Sequence, residues 1–374
     1  MNELLVAILV GLPTIALLVL LLGYIAYRGM IRYRMRDEAY QRQAALESGD
    51  FDASAFDLPW IEEDIASPGG YPLRVHALVG GPESGPGGGP GAGLGPGGAL
   101  GSSRGLALFH HGIGWGWIGM IRYMEIFREQ GWTVVAYDSR GHGGSGGGLG
   151  RELERGREGR RGGETHADEA TEGAGRRPRP SYGYFEKEDL KAVADWAFAR
   201  FAGGDRGRAA GGGGGPTPFV VFGESMGAAT VLQYAPLDPR LDGVIADCPF
   251  SSALAELDSR LKAVMVPPGI RSLVLLAADA FCRRLEGFSL READPARAIL
   301  ETEVPILFIH GLEDRYVPWR MSVVMAETRR RRLPGAVTEL LLMPGARHAA
   351  SIRADRPRYE EAIRDFLEIA LAER

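Results

Sequence analysis

The sequence predicts an α/β domain, built on a mostly parallel sheet with helices on both faces and a short helical lid, behind one N-terminal transmembrane helix. Three observations carry that prediction. Leu4 to Tyr27 runs without a charged side chain. Two strand-like segments then flank a Ser67-Pro68-Gly69-Gly70 turn. From Leu106 onward, short apolar runs alternate with helix-like segments, the pattern of a parallel sheet with covering helices.

The apolar run is long enough to cross a hydrocarbon core of about 30 Å. Gly11 and Pro13 lie inside it, and membrane helices tolerate both. A cleaved signal peptide is the competing reading, but Met1-Asn2-Glu3 has no basic side chain and no small-residue cleavage site closes the run. Arg28, Arg32, Arg34 and Arg36 follow directly, so the positive-inside bias predicts a single-pass inner-membrane protein with its body in the cytoplasm. Residues 1–36 are therefore expected as anchor and basic flank, and 37–57 as a polar connector.

The domain proper is expected over 58–374. Trp60 to Ala66 and Tyr71 to Val79 read as a hairpin. The parallel strands are expected at Leu106 to Phe109, Thr133 to Tyr137, Phe219 to Phe222, Gly243 to Ala246, Ile306 to Ile309 and Glu339 to Met343. Three tracts poor in large apolar side chains, 80–105, 146–180 and 203–215, read as surface inserts that bury too little to offset their ordering entropy. Between 251 and 300 a helical stretch broken by Pro267-Pro268-Gly269 reads as the lid.

With 45% hydrophobic residues the 374-residue chain has ample material for a core. Its 43 Lys and Arg stand against 48 Asp and Glu, a formal charge of -5, which offers no basic field for nucleic acid. The mixed charges of the 146–180 tract read as a solvated segment. The two cysteines, Cys248 and Cys282, make neither a disulfide framework nor a paired-CxxC metal site, and they fit a reducing compartment. No cofactor is expected: the run Gly211 to Gly215 lacks the Lys and Ser/Thr of a phosphate loop, and Gly112, Gly114 and Gly116 do not have dinucleotide-binding spacing.

The chemistry-bearing signal is Gly223-Glu224-Ser225-Met226-Gly227, between an apolar strand and a helical pattern. A G-x-S-x-G turn in that setting lifts a serine hydroxyl above the sheet edge. A serine needs a base to take its proton and an acid to orient that base, expected in the chain order Ser, acid, His. Of seven histidines only His310 and His348 follow Ser225; His310 ends a strand and reads as part of the fold, whereas His348 lies in a loop after the last strand. Asp314, in the loop after the strand ending at Ile309, is the expected acid; Glu313 is its neighbour and Asp247 its rival on the preceding strand. The expected oxyanion donors are the N–H groups of Met226 and of Ile113 in His110-His111-Gly112-Ile113-Gly114.

On these residues the chain resembles bacterial α/β hydrolases of the serine aminopeptidase and monoglyceride-lipase-like families, especially their N-terminally anchored members. The resemblance runs from about Trp60 to the C-terminus, outside the three tracts. It includes Asp138-Ser139-Arg140-Gly141-His142-Gly143-Gly144-Ser145, similar to the family's D-x-R-G-x-G-x-S loop, and Tyr182 to Leu190. It implies the α/β-hydrolase fold, a supporting role for Asp138, Arg140 and His142, an acid at Asp314 and a base at His348. The expected function is hydrolysis of a carboxylic ester, an acyl or lipid-like small molecule met at the membrane. A peptidase and a non-catalytic anchored scaffold are the alternatives.

Overall fold

The computed structural model describes residues 3–33, 35–49, 51–80, 103–146, 178–202 and 216–372, with backbone alone for 3–10. The three inserts expected from composition, and Arg34, fall largely or wholly outside these residues. The hairpin strands are β1 (Ile61–Ala66) and β2 (Pro72–Leu78). The others are β3 (Leu106–His110), β4 (Thr133–Tyr137), β5 (Phe219–Glu224), β6 (Gly243–Asp247), β7 (Ile306–Gly311) and β8 (Thr338–Met343). They form one eight-stranded sheet of order β1-β2-β4-β3-β5-β6-β7-β8. β1–β2 and β2–β4 pair antiparallel, and every later pair is parallel.

The helices are α1 (Glu3–Ile31), α2 (Glu38–Ser48), α3 (Ile121–Arg128), α4 (Glu186–Phe201), α5 (Met226–Tyr234), α6 (Ala253–Ala263), α7 (Pro268–Glu286), α8 (Pro295–Ala298), α9 (Arg320–Arg332), α10 (Ser351–Ala354) and α11 (Arg356–Ala372). Because strand side chains alternate between faces, each central strand feeds two cores. Ala107, Phe109, Val220 and Phe222 point to the side covered by α3 and α11. Leu106, Leu108, Phe219 and Val221 point to the side covered by α4, α5 and α9. Both faces are buried, which is why these strands read as continuous apolar runs.

Two segments differ from their simplest reading. Residues 37–57 hold α2, capped by the Asp37 carboxylate on the Tyr40 N–H, and a short 3₁₀ turn over Ala53–Asp57. Ala45, Phe51 and Ala55 of this segment are buried in the core beneath α3, so it is packed structure rather than a tether. In α1, the stretch Gly11–Ile31 is long and apolar enough to cross a membrane. Its last turns are nonetheless part of the domain: Tyr27, Met30 and Ile31 are buried in a third cluster that also holds Ile113, Tyr182, Met226, Phe250 and Cys282.

Candidate active site

The C-terminal ends of β5, β7 and β8 meet at one edge of the sheet, where parallel α/β sheets place their sites. β5 ends in the G-x-S-x-G turn. Ser225 adopts φ 56°, ψ −114°, a strained conformation for a residue with a side chain, and the surrounding packing holds it there. The flanking glycines make this possible: a Cβ on Gly227 would collide with the His110 carbonyl, and one on Gly223 with that of Gly227. The Ser225 N–H donates to the Asp247 carbonyl at 2.8 Å, tying the turn to β6.

His348, in the loop after β8, reaches back so that its Nε2 lies 2.9 Å from Ser225 Oγ. Its Nδ1 lies 2.6 Å from Asp314 Oδ2. An ionised carboxylate only accepts, so Nδ1 carries the proton and Nε2 offers its lone pair to the serine hydroxyl. Asp314 is saturated with donors. The N–H groups of Tyr316 and Val317 bind its Oδ1 at 2.8 and 2.9 Å, and His310 Nε2 lies 3.2 Å from Oδ2. His310 Nε2 also faces the Val317 carbonyl at 3.0 Å, so this nitrogen donates and Nδ1 accepts from Ser322 at 2.7 Å. Burial alone would raise the Asp314 pKa, but the hydrogen bonds from His310 and His348 together outweigh it and hold the carboxyl well below the usual range. Burial likewise opposes charging of His348, and Asp314 beside it reverses the sign, so its pKa is raised.

The loop after β3, which carries Ile113, is held by two neutral histidines. The Ser139 N–H donates to His111 Nε2 at 2.9 Å, which leaves Nδ1 to donate to the Gly112 carbonyl at 2.8 Å. The Gly114 N–H donates to His142 Nε2 at 3.0 Å, and His142 Nδ1 donates to the Arg140 carbonyl at 2.9 Å. Burial pushes both imidazoles down to about 3, so they are rigid spacers rather than proton carriers. Asp138 accepts the N–H groups of Trp117 at 3.0 Å and Gly144 at 2.8 Å, fastening the loop to the Asp138–Ser145 turn. Met226 opens α5, so its N–H is among those with no intrahelical acceptor. Ile113, Met226 and Ser225 line one pocket together with Tyr182, Phe250, Glu256 and Arg260.

Asp247 is placed elsewhere. Its carboxylate accepts from Tyr359 at 2.9 Å and Ser351 at 3.1 Å beneath the site, and burial raises its pKa to about 6. A buried pair absent from the sequence reading lies beside it: Arg122 Nη2 binds Glu224 Oε2 at 2.5 Å and the Ala349 carbonyl at 3.2 Å. Its only sequence signal was a carboxylate at the end of an apolar strand. Tyr123 also donates to Glu224, at 2.7 Å. Ala349 follows His348 in a left-handed conformation, φ 53°, so this pair anchors the loop that carries the imidazole. Among the described residues, Cys248, Asp314 and His348 bring ligand-type atoms within 4.8 Å of one another. Burial pushes the Cys248 thiol up, away from the thiolate a metal requires, and the other two are hydrogen-bonded to each other.

A family model for the alpha/beta hydrolase fold matches residues 106–281. The uncharacterized protein YqkD of Bacillus subtilis (strain 168) is 30% identical over 260 residues, 69% of each chain. The chain belongs to the α/β-hydrolase family. Among solved structures this hydrolase is similar to the Pyrococcus furiosus esterase Pf2001, at TM-score 0.53 and 17% identity over 86% of this chain and 96% of that one. It also resembles the Pyrococcus horikoshii acylaminoacyl peptidase, at TM-score 0.52 and 16% identity over 85% of this chain and 43% of that one. At such identities the likeness is one of fold.

Proposed function

We propose that this hydrolase is a serine enzyme that cleaves a carboxylic ester, an acyl or lipid-like small molecule, through an acyl-enzyme intermediate, and that α1 tethers it to the membrane with its body in the cytoplasm. The observation that carries this reading is the continuous relay from Ser225 Oγ through His348 to Asp314, at 2.9 and 2.6 Å. In it Ser225 attacks the ester carbonyl while His348 Nε2 takes its proton. The oxyanion accepts from the N–H groups of Met226 and Ile113. His348 then returns the proton to the leaving alcohol, and a water deacylates the serine by the same steps. The Asp314 carboxylate stabilises the imidazolium formed in each half.

The test uses a fluorophosphonate probe and a panel of short-chain ester, thioester and peptide substrates. Wild type should be labelled and should hydrolyse the ester fastest. Ser225→Ala should lose the label and about 10⁴-fold or more of the rate while remaining folded, and His348→Ala should fall to a similar residual rate. Turnover retained in Ser225→Ala would remove Ser225 as nucleophile, and faster peptide cleavage would move the substrate to the peptidase class.

A further inference from the structure

α1 and α7 run side by side in the same direction. Gly23 backs onto Ala277, where a Cβ on the glycine would collide with the alanine. The Tyr24 and Phe281 rings meet edge to face at 5.3 Å, and further along the Tyr27 hydroxyl binds Glu286. Small residues that let two backbones approach are the usual interface of helices paired in lipid.

The exposed side chains on both helices change character at the same level. On α1, Leu17, Leu18, Leu21 and Ile25 are exposed before Arg28. On α7, Ile270, Leu273 and Leu276 are exposed before Arg283 and Arg284. The rings of Tyr24, Tyr27 and Phe281 sit where the change occurs, as aromatic side chains do at a membrane boundary. The turn that leads into α7 continues the apolar surface, with Val264 70% and Met265 87% exposed. Met265 holds φ 59°, a cost for a bulky side chain, with that side chain almost wholly exposed. The basic side chains beside this turn, Lys262 and Arg271, both pair with Asp258 at 2.5 Å.

We infer that α7 and the Val264–Pro267 turn are embedded in the same membrane leaflet that α1 enters, forming a second contact with the lipid bilayer. This rests on the reading of α1 as an anchor. From Pro268 to Ala277 the helix rises about 14 Å, which fits within one leaflet. α6 ends at this turn, and its Glu256 and Arg260 line the pocket beside Ser225. An ester dissolved in the leaflet therefore meets the lid before it meets water, and the substrate class narrows to esters delivered from the bilayer.

Cys248 and Cys282 are buried, so single cysteines introduced at exposed positions can be labelled selectively in the full-length protein. Val264→Cys, Leu17→Cys and Val324→Cys would each carry an environment-sensitive fluorophore in phosphatidylcholine–phosphatidylglycerol vesicles. Quenching by lipids brominated on the acyl chain is compared with quenching by aqueous iodide. The inference expects positions 17 and 264 to be quenched by bromolipid and shielded from iodide, and position 324 the reverse. Quenching by bromolipid at 17 but not 264 overturns the inference and leaves the anchor standing; quenching at neither overturns both. Shielding of 264 from both quenchers means that protein, such as a second copy of this chain, covers the face, and also overturns it. In addition, Val264→Asp with Met265→Asp should slow hydrolysis of a vesicle-embedded long-chain ester by about tenfold, with a water-soluble ester unaffected. Equal loss on both esters, or loss on neither, counts against the inference.

Discussion

Asp314 differs from Asp247 in what its carboxylate faces, and the two make a clean comparison. Asp314 accepts the His348 Nδ1–H, whereas Asp247 braces Tyr359 and Ser351. Asp314→Asn should therefore lower kcat by about 10⁴-fold by leaving the imidazole in the wrong tautomer, with a much smaller loss for Asp247→Asn. The reverse ranking in steady-state rates would move the acid to Asp247. The raised pKa of His348 fixes the sign of the pH dependence. The base works only when neutral, so kcat/KM should fall as pH drops through a midpoint above 6.5, the ordinary value for histidine. In Asp314→Asn the residual activity should show a midpoint displaced to lower pH, because the charge that favours the imidazolium is gone. A kcat/KM profile on a short-chain ester reads both. The sequence reading separated His348 from His310 by its loop position after the last strand and read His310 as part of the fold, but His310 is more than filler: its Nε2 proton helps saturate Asp314. The four-residue spacing between a strand-end histidine and a loop aspartate was the signal available.

The turn at the end of β5 is an element whose geometry is set by backbone contact. Gly227→Ala would drive a Cβ into the fixed His110 carbonyl, whereas Gly269→Ala, at the exposed start of α7, meets nothing within 4 Å. Thermal unfolding should show Gly227→Ala destabilised by several kcal/mol, roughly 3 or more, and Gly269→Ala within about 0.5 kcal/mol of wild type or slightly more stable. Removing one partner of the buried Arg122–Glu224 pair, as in Arg122→Met, should cost about 3–5 kcal/mol by stranding the other charge. The central strands β3 to β7 were legible because both of their faces are buried, and β4 spans the same five residues, Thr133–Tyr137, in sequence and structure. α2 was not. Its buried side chains are Gln41 and Ala45, and a helix that docks through one glutamine and one alanine carries almost no hydrophobic periodicity.

At the scale of the whole molecule, the arginines after α1 predict that a reporter fused to the C-terminus is active in the cytoplasm, and periplasmic activity would reverse the orientation. The chain around 147–177 supports a second prediction. Gly146 and Pro178, the described residues on either side, are neighbours: a Cβ on Gly146 would fall 2.7 Å from Pro178 Cγ. Deleting Gly148 to Arg177 therefore needs no rearrangement of the fold, and the variant should be soluble and hydrolyse a short-chain ester at a rate close to wild type, since loop closure depends only weakly on length. Loss of both solubility and activity would assign the tract a structural role. The docking of α1 has a further consequence, for biogenesis. The Tyr182 hydroxyl donates to the Met30 carbonyl and the Arg36 N–H to the Gly114 carbonyl, so the end of α1 and the residues after it hold segments that line or flank the pocket. Met30 leaves the ribosome 152 residues before Tyr182, about 8 to 30 s earlier at ordinary translation rates. On the proposed reading of α1 as an anchor, a helix inserted as it emerges is in place before the rest of the chain arrives to fold against it, and the site is completed at the membrane surface.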